Sequence, residues 1–285
     1  MAQLVNIDGK IYPPEDAKIP IFDHGFLYGD NIYEAVRTHR GKLFLLDRHM
    51  ERLQNSARML HLSLPLSLDQ IKDEIVRTVE AAGNPETYVR LIITRGVGRI
   101  GLDIDLSSKP SYIMIVVPLE PPPPSYYKDG VKIALVDIRR NDRLSLNPGM
   151  KTGNLLNNVL GYMETKKENA YEGIFCNIAG YVTEGTVSNV FIVKNGQLIT
   201  PPPDAGLLLG VTRGLTLELA AEQKIPLKQR NFYPTEMLEA DECFITSTTK
   251  AILPVREVSN RKFSPMPGPI TKKLMDAYHH FAEED

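Results

Sequence analysis

Alternating apolar and polar positions near the start of the chain predict strands that turn back on themselves. Residues 4–12, LVNIDGKIY, have a hairpin pattern around Asp8-Gly9, and residues 31–46, NIYEAVRTHRGKLFLL, read as two strands joined at Arg40-Gly41. Further strands are predicted at 88–94 and 112–118. These segments account for the strands expected in the first half of the chain.

Two helices are predicted between these strands by a different spacing. Apolar residues recur at intervals of four and three from Leu46 to Leu60, which places them on one helical face. The second helix begins at Ser67, where Gln70 completes a capping box, and its apolar stripe continues up to Gly83.

The second half mixes the same two patterns in another order. Residues 131–139 are strand-like, 153–170 are helix-like, and 173–201 alternate apolar runs with turns, as an antiparallel meander does. Helices are predicted near 211–223 and 270–282, with short strands between them. The apolar positions that share one face of the 153–170 helix are Leu156, Val159, Leu160 and Met163.

A proline-rich segment separates the two halves. Residues 118–130, PLEPPPPSYYKDG, contain four consecutive prolines, which cannot donate sheet hydrogen bonds and favour a stiff extended chain. We therefore predict a small N-terminal domain over 1–117, a linker over 118–130 and a larger C-terminal domain over 131–285. Since neither half shows a repeat or a regular alternation of strand and helix, the expected fold class is α+β.

Composition limits the kinds of molecule that this chain is expected to bind. The formal net charge of −2 gives no field that would attract nucleic acid or an anionic membrane, so a small molecule is the expected partner. Cys176 and Cys243 lie far apart and outside any Cys/His cluster, which predicts neither a disulfide nor a metal site. The chain shows no secretory signal pattern and no run of about 18 apolar residues, so a soluble cytoplasmic protein is expected.

One glycine-rich string resembles a nucleotide-binding loop. Residues 96–101, GVGRIG, match the pattern and follow a predicted strand. A dinucleotide site also needs a helix that begins at the third glycine, whereas LDIDLSSKPS continues as loop. We interpret the string as a flexible loop that could border a substrate pocket.

Two charged residues of the second half are candidates for chemistry. Lys151 lies between Gly149 and Gly153 just before a predicted helix, so its amine can point into a cleft, although most lysines are on the surface. Glu184 follows a turn in a run that is otherwise strand, where a lone carboxylate is usually exposed. Neither residue identifies a site by itself.

Six segments together resemble the fold-type-IV pyridoxal-phosphate enzymes, which include branched-chain aminotransferases, D-amino acid transaminases and aminodeoxychorismate lyases. They are DHGFLYGDNIYEAVR (23–37), RHMERLQNSA (48–57), KTGNLLNNVL (151–160), VTEGTVSNVF (182–191), LLLGVTRG (207–214) and ECFITSTT (242–249). The resemblance spans nearly the whole chain. It implies the two-domain α+β fold of the D-amino acid aminotransferase type, with pyridoxal 5'-phosphate as the cofactor.

The resemblance also implies which residues bind the cofactor. Lys151 matches the lysine that forms the Schiff base and later moves a proton, and only a primary amine condenses reversibly with an aldehyde. Glu184 matches the carboxylate that faces the pyridine nitrogen and keeps it protonated. The remaining implied residues are Arg52, Val211, Thr212 and Thr248 for the phosphate, and Leu208 behind the ring.

For the substrate, the resemblance favours the branched-chain members without deciding fully between subfamilies. The pair Tyr88-x-Arg90 and the loop VGRIGLD are typical of those enzymes, and Gly101 stands where D-specific enzymes have a histidine. Leu156, in contrast, replaces a tyrosine of the branched-chain enzymes, and Lys250 replaces an alanine, where its charge could attract a second carboxylate. The implied substrate residues are Tyr28, Tyr33, Arg37, Tyr88, Arg90, Thr249 and Lys250.

These features imply ping-pong transamination between a branched-chain L-amino acid and 2-oxoglutarate. They also imply a homodimer or larger homo-oligomer, because in this family the partner subunit completes the site. A D-amino acid transaminase or an aminodeoxychorismate lyase would use the same scaffold and cofactor. From another class, a non-catalytic protein could bind nucleotide at the loop 96–101.

Overall fold

The computed structural model describes residues 2–107 and 109–284 and divides the chain into two compact units. The first unit contains Met1–Glu120 and Met150–Asn154, and the second contains Pro121–Gly149 and Leu155–Asp285. This differs from the predicted domains in two places, because residues 150–154 group with the first unit and residues 118–130 are not an extended linker. Pro124–Asp129 forms a helix there, and a proline suits its first turn because no backbone donor is needed at that position.

The first unit is built on an antiparallel sheet of six strands in the order β2-β1-β6-β5-β3-β4. The strands are β1 (Leu4–Ile7), β2 (Lys10–Tyr12), β3 (Asn31–His39), β4 (Lys42–Leu43), β5 (Thr87–Thr94) and β6 (Ser111–Pro118). The helices are α1 (His24–Tyr28), α2 (Leu46–Met59) and α3 (Leu68–Ala82). Both predicted hairpins are confirmed, and the capping box of Ser67 and Gln70 begins α3.

Side chains on β3 alternate strictly between the two faces of this sheet. Ile32, Glu34 and Val36 are buried on the face where α2 and α3 pack, whereas Tyr33 and Arg37 lie half-buried on the opposite face. The paired strand β5 repeats the alternation in register. The predicted substrate residues that share the face away from the helices are Tyr33, Arg37, Tyr88 and Arg90.

The segment that carries Lys151 is attached to the first unit by backbone hydrogen bonds to β3. Tyr33 N donates to Lys151 O at 2.8 Å, Gly153 N donates to Asn31 O at 3.2 Å, and Ile32 pairs with Thr152. A Cβ at Gly153 would lie 2.2 Å from the Asn31 side chain, so a larger residue there would force that side chain to shift.

The second unit contains a mixed sheet of nine strands, with eight in the order β12-β11-β10-β13-β14-β7-β8-β9 and β15 paired with β14. The strands are β7 (Val131–Arg139), β8 (Glu172–Cys176), β9 (Val182–Gly185), β10 (Asn189–Lys194), β11 (Gln197–Thr200), β12 (Leu227–Gln229), β13 (Glu242–Ser247), β14 (Ala251–Val258) and β15 (Arg261–Lys262). The helices are α4 (Pro124–Asp129), α5 (Leu156–Lys167), α6 (Val211–Glu222), α7 (Pro234–Leu238) and α8 (Pro269–Glu284). The α+β class is therefore confirmed.

Helix α5 packs against its own unit through small residues. Gly161 and Thr165 are its buried positions, and a Cβ at Gly161 would lie 2.4 Å from Phe175. The predicted apolar stripe instead faces outward, with Leu156 70% and Met163 58% exposed. The apolar residues of α5 therefore pack little against the rest of the described chain.

The glycine string at 96–101 forms a loop, as predicted. It is followed by a 3-10 helix of three residues, Ile104–Leu106, and not by the α-helix that a dinucleotide site requires. Across residues 2–107 and 109–284, no helix is both long and apolar enough to cross a lipid bilayer.

Candidate functional site

In the first unit, Tyr33 brings two cationic side chains together. The Lys151 ammonium nitrogen lies 4.3 Å from the centre of the Tyr33 ring, and the Arg90 guanidinium carbon lies 4.1 Å from it. Both distances are within the range of cation–π attraction. The backbone of Lys151 is held as well, because its N–H donates to Ser56 Oγ at 3.1 Å and its carbonyl accepts from Tyr33. The amine therefore projects from a fixed backbone.

The half-buried face of the sheet carries two further groups suited to an anionic substrate. Tyr88 is hydrogen-bonded to Arg90, and burial raises the pKa of the Tyr88 hydroxyl despite the charge of Arg90, so the hydroxyl stays neutral. Arg37 lies over the Phe44 ring, and its Nε is buried without a hydrogen-bond partner among the described residues. A bound carboxylate would satisfy that donor.

Tyr28, another predicted substrate residue, contacts the glycine loop. Its hydroxyl accepts a hydrogen bond from Gly101 N at 3.0 Å, and the neighbouring ring of His24 bonds Arg99 O at 3.0 Å. The two rings meet edge to face with centroids 5.1 Å apart. In this structure Tyr28 therefore helps to position residues 99–101.

Arg52, predicted to bind the phosphate, pairs with a buried carboxylate. Its Nε donates to Glu34 Oε1 at 2.7 Å and its Nη2 donates to Glu34 Oε2 at 2.8 Å. His49 Nδ1 donates to Glu34 Oε2 at 2.8 Å. Glu34 is fully buried, so α2 and β3 are joined by a polar network inside the first unit.

The charges in this network are set by burial and proximity. Burial alone would raise the pKa of Glu34, but the Arg52 charge and the bonds from Arg52 and His49 outweigh it and hold that pKa well below its ordinary range. Burial lowers the pKa of His49, and the charges of Arg52 and Lys151 add to this effect against the opposing pull of Glu34. At neutral pH, Glu34 is therefore ionised and His49 is neutral.

In the second unit, Glu184 is a buried carboxylate that accepts hydrogen bonds from Arg140 and Leu208. Its Oε1 accepts from Arg140 Nε at 2.8 Å, and its Oε2 accepts from the backbone N–H of Leu208 at 3.0 Å. The expectation that a lone carboxylate here would be exposed is wrong, since only 5% of Glu184 is accessible. The Glu184–Leu208 bond brings together two of the residues that the resemblance implies for the ring.

The beginning of α6 has the features of a phosphate site. Its N-cap is Gly210, which has no side chain to bond the first-turn N–H groups, although Val211 and Thr212 are buried. Asn189 anchors the preceding loop through Leu208 O at 2.8 Å. Uncapped N–H groups at a helix start are suited to a dianion.

Hydroxyl groups beside this helix start are also unsatisfied. Thr246, which pairs with Asn189 across β10 and β13, and Ser247 each have a buried hydroxyl oxygen without a hydrogen-bond partner among the described residues. Thr248 and Thr249 follow and are half-buried. Unused donors next to uncapped N–H groups fit the phosphate of the implied cofactor.

Lys250 does not have the free charge that the sequence suggested. Its Nζ lies 2.7 Å from Glu172 Oε2 and 4.9 Å from the centre of the Tyr171 ring. Although burial opposes it, the Glu172 charge raises the pKa of Lys250. Glu172 therefore offsets the charge of this lysine, and a contact of Lys250 with a second substrate carboxylate stays a prediction.

Several residues of these networks were missed by the sequence analysis. Glu34 left a readable signal, because it occupies a position of the buried face of β3 between Ile32 and Val36. Arg140 left none, since it comes just after β7 and its partner Glu184 is 44 positions away. His49 resembled one more polar position on an amphipathic helix.

Comparison with known proteins gives concordant matches. The family model described as "Amino-transferase class IV" matches residues 31–258. A putative branched-chain-amino-acid aminotransferase of Methanocaldococcus jannaschii is 37% identical, covering 96% of this chain and 94% of its own, and a D-alanine aminotransferase of Bacillus licheniformis is 31% identical over 96% and 95%. The crystal structure of a branched-chain aminotransferase from Thermoproteus uzoniensis with norvaline superposes with a TM-score of 0.91, at 30% identity over 98% and 94% of the two chains.

Proposed function

Because the chain belongs to the class IV aminotransferases, we propose that it transfers the amino group of a branched-chain L-amino acid to 2-oxoglutarate. The enzyme uses pyridoxal phosphate, the cofactor of that family, and its fold is that of the fold-type-IV enzymes. The observation that carries the substrate assignment is the face of β3 and β5 that brings together Tyr33, Arg37, Tyr88 and Arg90. A non-catalytic protein that binds nucleotide does not agree with this family, which consists of enzymes.

Lys151 is the residue to which we assign both covalent attachment and proton transfer. When bound, pyridoxal phosphate supplies an aldehyde that condenses with amines and a ring that delocalises negative charge from the substrate Cα. The Lys151 amine is suited to hold the aldehyde and, once displaced by the donor amine, to take a proton from Cα at its Nζ. Its fixed backbone and the Tyr33 ring beside it support this role.

The residues of the second unit are assigned to orientation of the cofactor. Glu184 would accept a hydrogen bond from the pyridine nitrogen, and Leu208 would pack behind the ring. The phosphate would be bound by the N–H groups of Val211 and Thr212 and the hydroxyl of Thr248. Arg52 also stays a proposed phosphate ligand, and its Nε and Nη2 bond Glu34 in this structure.

The substrate carboxylates and side chain are assigned to the half-buried face of the first sheet. Arg37 and Arg90 supply positive charge, and Tyr33 and Tyr88 supply aromatic surface on which a branched aliphatic side chain can pack. Tyr28 would act on the substrate indirectly, by holding residues 99–101 of the glycine loop in place. Thr249 and Lys250 stay predicted carboxylate ligands, and Lys250 would take this role beside Glu172.

We expect L-leucine, L-isoleucine and L-valine to give glutamate with 2-oxoglutarate at a kcat/KM about a hundredfold above that for D-alanine. The reason is that a pocket shaped for a branched side chain on one stereoisomer loses contacts with a small substrate of the other hand. The measurement is a coupled assay of glutamate formation with a panel of L- and D-amino acids.

The same panel distinguishes the alternatives. Activity confined to D-alanine would favour a D-amino acid transaminase. Two features agree with that alternative: the 31% identity to a D-alanine aminotransferase, and Leu156 in place of the tyrosine of branched-chain enzymes. Turnover of aminodeoxychorismate without any transamination would favour the lyase. Either result would contradict the proposed substrate while leaving the cofactor unchanged.

We also propose that the enzyme is a homodimer or a larger homo-oligomer. The support is the outward apolar face of α5, which water would otherwise cover. Light scattering should give at least twice the chain mass of 32.0 kDa. Met163→Glu should weaken the assembly, and Glu80→Lys on an exposed position of α3 is the control. A monomeric wild-type protein at micromolar concentration would contradict the proposal.

A further inference from the structure

Arg140 is the cation that faces the carboxylate assigned to the pyridine nitrogen. It follows directly after β7 and donates from Nε to Glu184 Oε1 at 2.8 Å. The side chains of Arg140 and Glu184 are only 9% and 6% exposed, so water screens this pair weakly. Arg140 therefore has a contact with Glu184 that is both close and poorly solvated.

A second residue fixes the orientation of that guanidinium. Asn157, in the first turn of α5, accepts from Arg140 Nη1 at 2.8 Å through its Oδ1. The amide of Asn157 in turn donates to Arg139 O at 2.9 Å. The guanidinium also lies 5.7 Å from the centre of the Phe175 ring. These contacts determine which of the Arg140 nitrogens can reach Glu184.

Arg140 and the backbone N–H of Leu208 each bond a different oxygen of Glu184. Each carboxylate oxygen has about two acceptor positions, and one on each oxygen is used by Arg140 or by the N–H of Leu208. A carboxylate that is bonded at both of its oxygens keeps a fixed orientation, so the direction in which Glu184 faces a ring nitrogen depends on these contacts.

We propose that Arg140, supported by Asn157, is a positioning residue that keeps Glu184 oriented toward the pyridine nitrogen of the cofactor, so that this nitrogen retains its proton. The inference rests on the proposed pairing of Glu184 with that nitrogen. Arg140 itself touches neither substrate nor cofactor in this assignment and acts through Glu184 alone.

The test is the 15N resonance of the holoenzyme reconstituted with pyridoxal phosphate labelled at the ring nitrogen. The wild type should show the pyridinium value, and Arg140→Gln should move the resonance toward that of neutral pyridine. We also expect kcat to fall about tenfold to a hundredfold, as when a hydrogen bond to a charged group is lost, with little change in KM for the amino donor. Arg140→Lys, which retains the charge, should restore part of both.

Matched variants separate this inference from the assignment of Glu184. Arg139→Gln removes a neighbouring exposed arginine and should leave the resonance unchanged. Glu184→Gln should move it as Arg140→Gln does. If Glu184→Gln moves the resonance and a folded Arg140→Gln does not, the role of Arg140 is refuted and the Glu184 pairing stands. If Glu184→Gln leaves it unmoved, the pairing itself fails and the inference with it.

A milder variant keeps the test decisive if Arg140→Gln does not fold. Asn157→Ala removes the partner of Nη1 and preserves both charged side chains, so it should move the resonance in the same direction by a smaller amount. An unchanged resonance in this variant would overturn the positioning role.

Discussion

Replacing Lys151 with alanine is expected to abolish the visible absorbance of the lysine-bound cofactor and to lower turnover at least about 10⁴-fold. The variant loses both the amine that holds the aldehyde and the base that receives the Cα proton. Arg90, on the other side of Tyr33, cannot take over either role because it is a cation that does not lose its proton. Absorbance spectra and single-turnover kinetics with L-leucine measure the two losses separately.

A measurement independent of activity can locate the attachment. Borohydride reduction of the wild-type holoenzyme should fix the cofactor on the peptide that contains Lys151, as read by mass spectrometry. Lys167→Ala, which changes an exposed lysine of α5, should leave spectrum and rate unaffected. Labelling of another lysine, or turnover that survives in Lys151→Ala, would refute the assignment.

Replacing Glu34 with glutamine is expected to lower the free energy of unfolding by about 3–5 kcal/mol at neutral pH, the usual cost of breaking a buried ion pair on one side. The substitution keeps the shape of the side chain but leaves the Arg52 charge without its carboxylate and His49 with a weaker acceptor. Urea titration of the apoprotein measures the loss. Glu80→Gln, on an exposed position of α3, is the control and should change stability by less than about 0.5 kcal/mol.

The difference between wild type and Glu34→Gln should depend on pH in a definite direction. Because the pKa of Glu34 is depressed in the folded state, its contribution is complete above the unfolded value of about 4.3 and declines as the pH falls below it. Glutamine does not titrate, so the two stability curves should approach each other toward low pH. Parallel curves between neutral and acidic pH would contradict the role given to this carboxylate.

Local patterns predicted the elements of this fold better than their packing partners. The alternation of β3 and the turns at Asp8-Gly9 and Arg40-Gly41 were enough to place strands and hairpins, since each depends on residues close in sequence. The apolar spacing of α5 was also correct, but it does not reveal what covers an apolar face, and here Gly161 makes the internal contact.

Likewise, the sequence predicted which residues belong to the candidate site but not which other residues they contact. Resemblance singled out Lys151 and Glu184, but the ion pairs of Arg52 with Glu34 and of Lys250 with Glu172 join distant parts of the chain. Such pairs matter because a carboxylate beside a cation weakens the attraction of that cation for a substrate carboxylate. These ion pairs are apparent only in the folded structure, where residues far apart in sequence come together.

The path of the backbone through residues 150–154 limits how this protein can be divided. The segment belongs to the first unit, yet the residues on either side of it belong to the second, so the chain changes unit at 120/121, 149/150 and 154/155. A fragment that ends at Glu120 would leave the β3 groups of Asn31 and Tyr33 without their partners and would lack the reactive amine. Neither half can therefore evolve or be engineered as an independent module unless this crossover is preserved.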